Sequence, residues 1–220
     1  MYTDWVFYTL SIIGIVAFSV SGAMVGIKYK ADIFGVVALG TVTATGGGIL
    51  RDILLGLLPP ASILDNSYII IASLCSLVVF LCAYTDKYEY SKNSQNLDAV
   101  TNILDALGLG VFTVSGTDAA MNFGFFASPV TCVLICTITA IGGGIFRDIL
   151  VSQIPCVFKK RIYALAAILG SSLFYALTIL ALPYAVCAFS ALATTFFLRL
   201  AATYYRWNLP TIYCKGRFKK

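Results

Sequence analysis

The stretches TATGGGILRDILLGLLPP, from Thr43 to Pro60, and TAIGGGIFRDILVSQIP, from Thr139 to Pro155, set three glycines and an Arg-Asp pair inside apolar sequence. They belong to a longer match. FSVSG at Phe18 to Gly22 corresponds to FTVSG at Phe112 to Gly116, Arg51 to Arg147, Asp52 to Asp148 and Pro59 to Pro155. Apolar sequence produces chance likeness easily, but not an ordered series of glycines and charges across half a chain. The chain therefore reads as two copies of one unit.

What surrounds the copies fixes their medium. Of the 220 residues, 60% are hydrophobic and 11% charged, where a soluble domain carries about 25% charged residues. The mean hydropathy is +0.90. Apolar runs of about 20 residues are long enough to cross a bilayer as helices. Seven are expected: Trp5 to Ile27, Ile33 to Leu58, Tyr68 to Tyr84, Leu97 to Thr117, Val130 to Ile154, Ile162 to Leu182 and Tyr184 to Tyr204. Pro183 divides the last two, because about 40 residues is too much for one crossing. Trp5, Tyr8, Tyr29, Tyr68, Tyr84, Tyr88, Tyr204, Tyr205 and Trp207 lie near span ends, where amphipathic rings meet headgroups.

The expected fold is an all-α polytopic membrane protein, one transmembrane domain over residues 1–220. Residues 5–84 form a first three-helix repeat, 97–182 a second, 184–205 a seventh helix and 206–220 a basic cytoplasmic tail. Lys28 and Lys30, Lys87 and Lys92, Lys159 to Arg161, and the tail residues Arg206, Lys215, Arg217, Lys219 and Lys220 all fall on one side of a seven-span plan. The positive-inside rule makes that side cytoplasmic and the N-terminus external. Three spans per copy is an odd number, so the second copy enters from the opposite face. The two repeats are expected to be inverted about an axis in the membrane plane, as in many transport proteins.

Several functions are set aside by the same reading. The net charge of +5 comes without a basic stripe beside stacking aromatics, so no nucleic-acid partner is expected. The start MYTDWVFYTL lacks a basic leader and a small-residue cleavage site, so the first span reads as retained. Seven cysteines in apolar runs and no histidine read as small buried hydrophobes. No enzyme activity and no cofactor are expected.

Gly46, Gly47 and Gly48, like Gly142, Gly143 and Gly144, weaken a helix interior by roughly 1 kcal/mol each relative to alanine. A triplet marks a kink, an unwound turn or very close packing of neighbouring helices. Arg51, Asp52, Arg147 and Asp148 follow at bilayer depth, where a charge pairs or faces water. The charges favour two discontinuous helices facing across a polar path, with the Arg–Asp pairs as braces or as gating charges. Unwound carbonyls near Gly46 and Gly142 would coordinate a cation, while amides at a restarted helix end would meet an anion. Thr43, Thr45 and Thr139 either bond back to their own helices or face the path. Asp98, Asn102 and Asp105 share a face of the fourth helix. Asp105, one turn further in, is the candidate acid facing an ion, with interhelical bracing as its alternative. Asp32 and Asp118 read as capping or solvated.

The paired F-x-V-S-G and GGG-x-x-R-D segments, with a seventh span, resemble the prokaryotic homologues of the trimeric intracellular cation channels. These sit within a family also described as glycine-transporter-like (UPF0126). The resemblance covers nearly the whole chain and implies a homotrimer in a prokaryotic plasma membrane, with membrane lipids around it and an ion path inside each protomer. It carries the glycines of both triplets onto kinked second and fifth helices, and it implies potassium and other monovalent cations as substrates. The lysine-glutamate phosphoinositide motif of animal members has no counterpart here. Two functions stay open at this point: a cation channel, which needs a continuous path, and a secondary transporter of a small amino acid such as glycine, which alternates its access.

Overall fold

The computed structural model describes residues 2–85, 94–159, 162–205 and 207. Its helices are α1 (Tyr2–Lys28), α2 (Ile33–Leu54), α3 (Ala61–Leu64), α4 (Asn66–Thr85), α5 (Ser94–Asn122), α6 (Pro129–Leu150), α7 (Cys156–Lys159), α8 (Tyr163–Ile179) and α9 (Tyr184–Tyr204). Six of these, α1, α2, α4, α5, α6 and α9, are long and apolar enough to cross a membrane. The seventh apolar helix, α8, has 17 residues, about 26 Å of rise against a hydrocarbon core of about 30 Å. The chain is an all-α polytopic membrane protein. Lys87, Lys92, Lys160, Arg161, Arg206 and the rest of the basic tail lie outside the described residues, apart from Trp207.

Local chemistry sets the ends. Asp32 caps α2 by accepting from the Gly35 N–H at 2.7 Å. Past the end of α2, Gly56 takes φ +72, and the amides of Gly56 and Leu57 donate to Ile53 and Asp52 carbonyls, a left-handed stop that suits glycine. The second copy stops α6 the same way, with Ser152 at φ 56 and the amides of Ser152 and Gln153 donating to Ile149 and Asp148 carbonyls. Both helices therefore end about one turn earlier than the apolar runs suggest, at Leu54 rather than Leu58 and at Leu150 rather than Ile154. The short helices α3 and α7 follow. In the other direction α5 runs past Thr117 to Asn122.

Two antiparallel pairs form the centre. α1 and α5 run side by side: Gly14 faces Val111, Phe18 stacks on Phe112 with ring centroids 5.1 Å apart, Ser21 meets Asp105, and Lys28 meets Asp98. α2 and α6 cross at their central glycines. A Cβ on Gly143 would lie well inside van der Waals distance of the Thr43 carbonyl oxygen, and a Cβ on Gly47 would do the same to Thr139. α4 packs on α1 and α2, while α8 and α9 pack on α6 and α5.

The two glycine triplets are not breaks. α2 and α6 run unbroken through them, so the expected unwound turns are absent and their carbonyls stay in the helical ladder. Close packing wins because the missing side chains of Gly47 and Gly143 admit the partner backbone. Gly22 and Gly116, which end the F-x-V-S-G segments, serve the same purpose: Cβ atoms there would sit 2.8 Å from the Gly40 and Cys136 Cα atoms.

The Lys28–Asp98 pair, at 2.7 Å, has both side chains more than half exposed. Exposed pairs contribute about 1 kcal/mol or less. Asp98→Asn is therefore expected to leave the thermal unfolding midpoint of the detergent-solubilised protein nearly unchanged, and a drop of more than a few degrees would reveal a buried role for this pair.

Candidate functional site

Each Arg–Asp pair bonds across the two halves. Arg51 donates from Nε to Asp52 Oδ1 at 2.8 Å and from Nη1 to the Ser115 hydroxyl at 2.8 Å. Arg147 donates from Nε to Asp148 Oδ1 at 3.0 Å and from Nη1 to the Ser21 hydroxyl at 2.8 Å. Ser115 and Ser21 are the serines of the two F-x-V-S-G segments, so the arginine of each copy is received by the motif of the other. The free carboxylate oxygens are used too. Asp52 Oδ2 accepts from the Ala61 N–H at 2.8 Å and Asp148 Oδ2 from the Cys156 N–H at 2.7 Å. Each aspartate thereby ties the end of its long helix to the start of the short helix that follows.

The equivalence stops at one residue. Asp105 joins the second latch, accepting from Arg147 Nη1 at 2.5 Å, from the Ser21 hydroxyl at 2.9 Å and from the Tyr163 hydroxyl at 3.4 Å. In the first latch the repeat places Ser11 where Asp105 would stand, and Ser11 only bonds back to the Phe7 carbonyl. The extra carboxylate has a matching extra cation. Arg199, 2% exposed, comes from α9, and its guanidinium lies 4.7 Å from the centre of the Tyr163 ring. Asp105 and Asp148 are thus balanced by Arg147 and Arg199. A buried charge set of this kind is tolerated at bilayer depth only when it is neutral and hydrogen-bonded.

Sequence reasoning missed Arg199, Tyr163, Ser21 and Ser115. For Arg199 the signal was in the sequence, since FFLRLAATYY sets an arginine inside the last apolar run. The serines were visible only as parts of a motif, without their cross-copy partners.

Cavities approach the latches from both ends of the helix pair. A cavity of about 650 Å³ at the Lys28 end reaches Asp98, Asn102, Asp105, Arg147 and Asp148. A smaller one of about 100 Å³ reaches Thr45, Gly48, Arg51, Asp52 and Ser115. Between these two sets of residues lies closely packed protein. Phe18, Thr43, Gly47, Thr139 and Gly143 are buried, and Phe112 is 8% exposed.

The six motif glycines therefore separate into roles. Gly47 and Gly143 make the crossing, Gly46 packs on the Phe146 ring and Gly142 on Leu50. Gly144 lies 3.2 Å, measured from a built Cβ, from the Tyr163 hydroxyl, and Gly48 faces open space at the smaller cavity. Thr43, Thr45 and Thr139 all donate back to their own helices, to Leu39, Thr41 and Ile135 carbonyls. Of these three, Thr45 borders a cavity. The expected cation coordination by freed carbonyls near Gly46 and Gly142 does not arise, because both residues lie within continuous helix. Among the described residues no histidine, cysteine, aspartate and glutamate group is placed to hold a metal ion.

The chain is similar to known membrane proteins along nearly its whole length. The family described as "Glycine transporter" matches twice, over residues 8–84 and 102–179, which fall one on each copy of the repeat. The UPF0126 inner membrane protein YadS of Escherichia coli is 32% identical over 209 residues, covering 93% of this chain and 95% of that protein. Among solved structures, a prokaryotic TRIC channel crystallised in 0.5 M KCl is 36% identical with a TM-score of 0.83, covering 95% of this chain and all of that one. The TRIC trimeric intracellular cation channel orthologue from Rhodobacter sphaeroides is 32% identical with a TM-score of 0.81, over 92% of this chain and 99% of that one.

Proposed function

The chain belongs to the glycine-transporter (UPF0126) family of membrane proteins, and on that premise we propose that it is a monovalent-cation channel, permeable to potassium, seen with its path closed. The path runs inside each protomer between α2 and α6. The protein acts as a homotrimer in a prokaryotic plasma membrane, with the N-terminus outside and the C-terminus in the cytoplasm. Its first six membrane helices form two inverted repeats and α9 is added to them. The solved relatives described as TRIC channels, one of them as a trimeric cation channel orthologue, support the ion and the assembly, and an Escherichia coli relative described as an inner membrane protein supports the location.

One observation carries this reading: cavities reach the same helix crossing from opposite ends, and each stops at an arginine held by an aspartate and by a serine of the other copy. A carbonyl cage plays no part. Opening separates α2 from α6 at Gly47 and Gly143 and swings the arginines off their cross-copy serines. Cations then pass beside Asp52, Asp105 and Asp148, whose charge the latches neutralise at rest.

The unequal cavities, about 650 and about 100 Å³, also suit a carrier for a small amino acid such as glycine, open at one end. Planar-bilayer recording of the purified protein separates the two. Discrete potassium currents far above a carrier's turnover are expected. Saturable glycine counterflow in liposomes without such currents would replace the channel with alternating access.

A further inference from the structure

A third cavity, of about 780 Å³, opens among the start of α1, the end of α5 and the start of α9, lined by Trp5, Phe7, Tyr8, Asp118, Asn122 and Tyr184. Its volume is that of a small-molecule site. Its one acid among the described residues is unusual in this chain. Among acids with described side chains, Asp52, Asp105, Asp148 and Asp98 are paired with arginine or lysine. Asp32 and Asp65 accept from backbone amides. Asp118 makes no ion pair among the described residues, and its hydrogen bond comes from the Asn122 amide at 3.2 Å.

Asp118 is also misplaced for a bystander. It lies in the last turns of α5, where the negative end of the helix dipole disfavours a carboxylate, and it is half-buried rather than solvated. Aromatic side chains wall it in. The Tyr184 ring is held edge-on against Phe174 at 6.0 Å, and its hydroxyl has no hydrogen-bond partner among the described residues. An interfacial aromatic belt accounts for rings at this depth, but not for an unpaired carboxylate among them.

We propose that this cavity binds an organic ammonium group, with Asp118 as its counter-ion and the Trp5, Tyr8 and Tyr184 rings as its wall. The chemistry selects the class of cation. A small metal ion needs a shell of several oxygens, whereas the described lining residues offer one carboxylate, one amide and aromatic faces. A quaternary ammonium is weakly hydrated, and its charge is favoured over aromatic faces. The ammonium has two sources, a soluble amine or a phospholipid headgroup at the same depth. The cavity is next to the first latch, sharing Phe7 with the cavity that reaches Arg51, but its proposed role does not depend on conduction.

The chain has two tryptophans, so a full-length Trp207→Phe protein leaves Trp5, 70% exposed, as the reporter. Choline chloride is titrated into this protein in phosphatidylglycerol nanodiscs, with sodium chloride of equal ionic strength as control. We expect a saturable change in Trp5 emission whose half-saturation rises at least about tenfold in Asp118→Asn, equal to about 1.4 kcal/mol, and stays unchanged in Asp65→Asn. Tyr8→Leu provides a second variant and is expected to weaken binding as well. A linear, unsaturable response, or unaltered choline binding in both Asp118→Asn and Tyr8→Leu, overturns the proposal. Repeating the titration in phosphatidylcholine nanodiscs identifies the source: a raised half-saturation means the lipid headgroup occupies the site, and an equal one means a soluble amine does.

Discussion

Alanine at Gly143 is expected to cost the protein its assembly, while alanine at Gly48 leaves assembly intact. The new methyl at Gly143 collides with the backbone carbonyl of Thr43, an atom that moves only if α2 moves. Over-packing of this kind costs about 3 kcal/mol, the upper part of the usual range, and Gly47→Ala repeats the collision with Thr139. Gly48 has nothing within 4 Å of a built Cβ, so Gly48→Ala adds a methyl only to the wall of the smaller cavity. Size-exclusion profiles and thermal midpoints of the three variants test this. A Gly143→Ala protein as stable as the parent would mean that the helices are not locked backbone to backbone.

Arg147→Gln is the second large effect. It leaves Asp105 and Asp148, both buried, facing a single remaining cation, Arg199. Breaking one side of a buried charge set costs about 3–5 kcal/mol. Adding Asp105→Asn removes the surplus negative charge and restores the balance of one acid to one base, so the double variant should be more stable than Arg147→Gln alone. Asp105→Asn by itself also unbalances the set, leaving two arginines facing Asp148. Unfolding midpoints of the four proteins give the coupling directly, and strictly additive losses would show that these groups do not share one electrostatic site.

Much of this was legible from the residues alone. Six of the seven expected spans coincide with helices long and apolar enough to cross a membrane, because bilayer thickness leaves run length little choice, while α8 is shorter. The importance of Arg51, Asp52, Arg147, Asp148 and Asp105 followed from the cost of burying charge. What failed was the step from glycine to unwinding. A triplet of glycines fits a broken helix and a tight crossing equally well. Only the partner backbone distinguishes them, and here it is supplied by the other copy from a distant part of the chain. Asp118 went astray for a related reason: Thr117 looked like the end of an apolar run, whereas α5 continues to Asn122 and carries the acid against α1 and α9.

The reciprocal reach of each arginine to the other copy's serine has a consequence for how the chain is made. When α1, α2 and α4 have left the ribosome, the face that will receive α6 is a strip of glycine and open backbone. Phe18 then has no stacking mate, and Ser21 has neither Arg147 nor Asp105. That half is a mould without its cast. Until the complementary half is made, that strip has no protein cover.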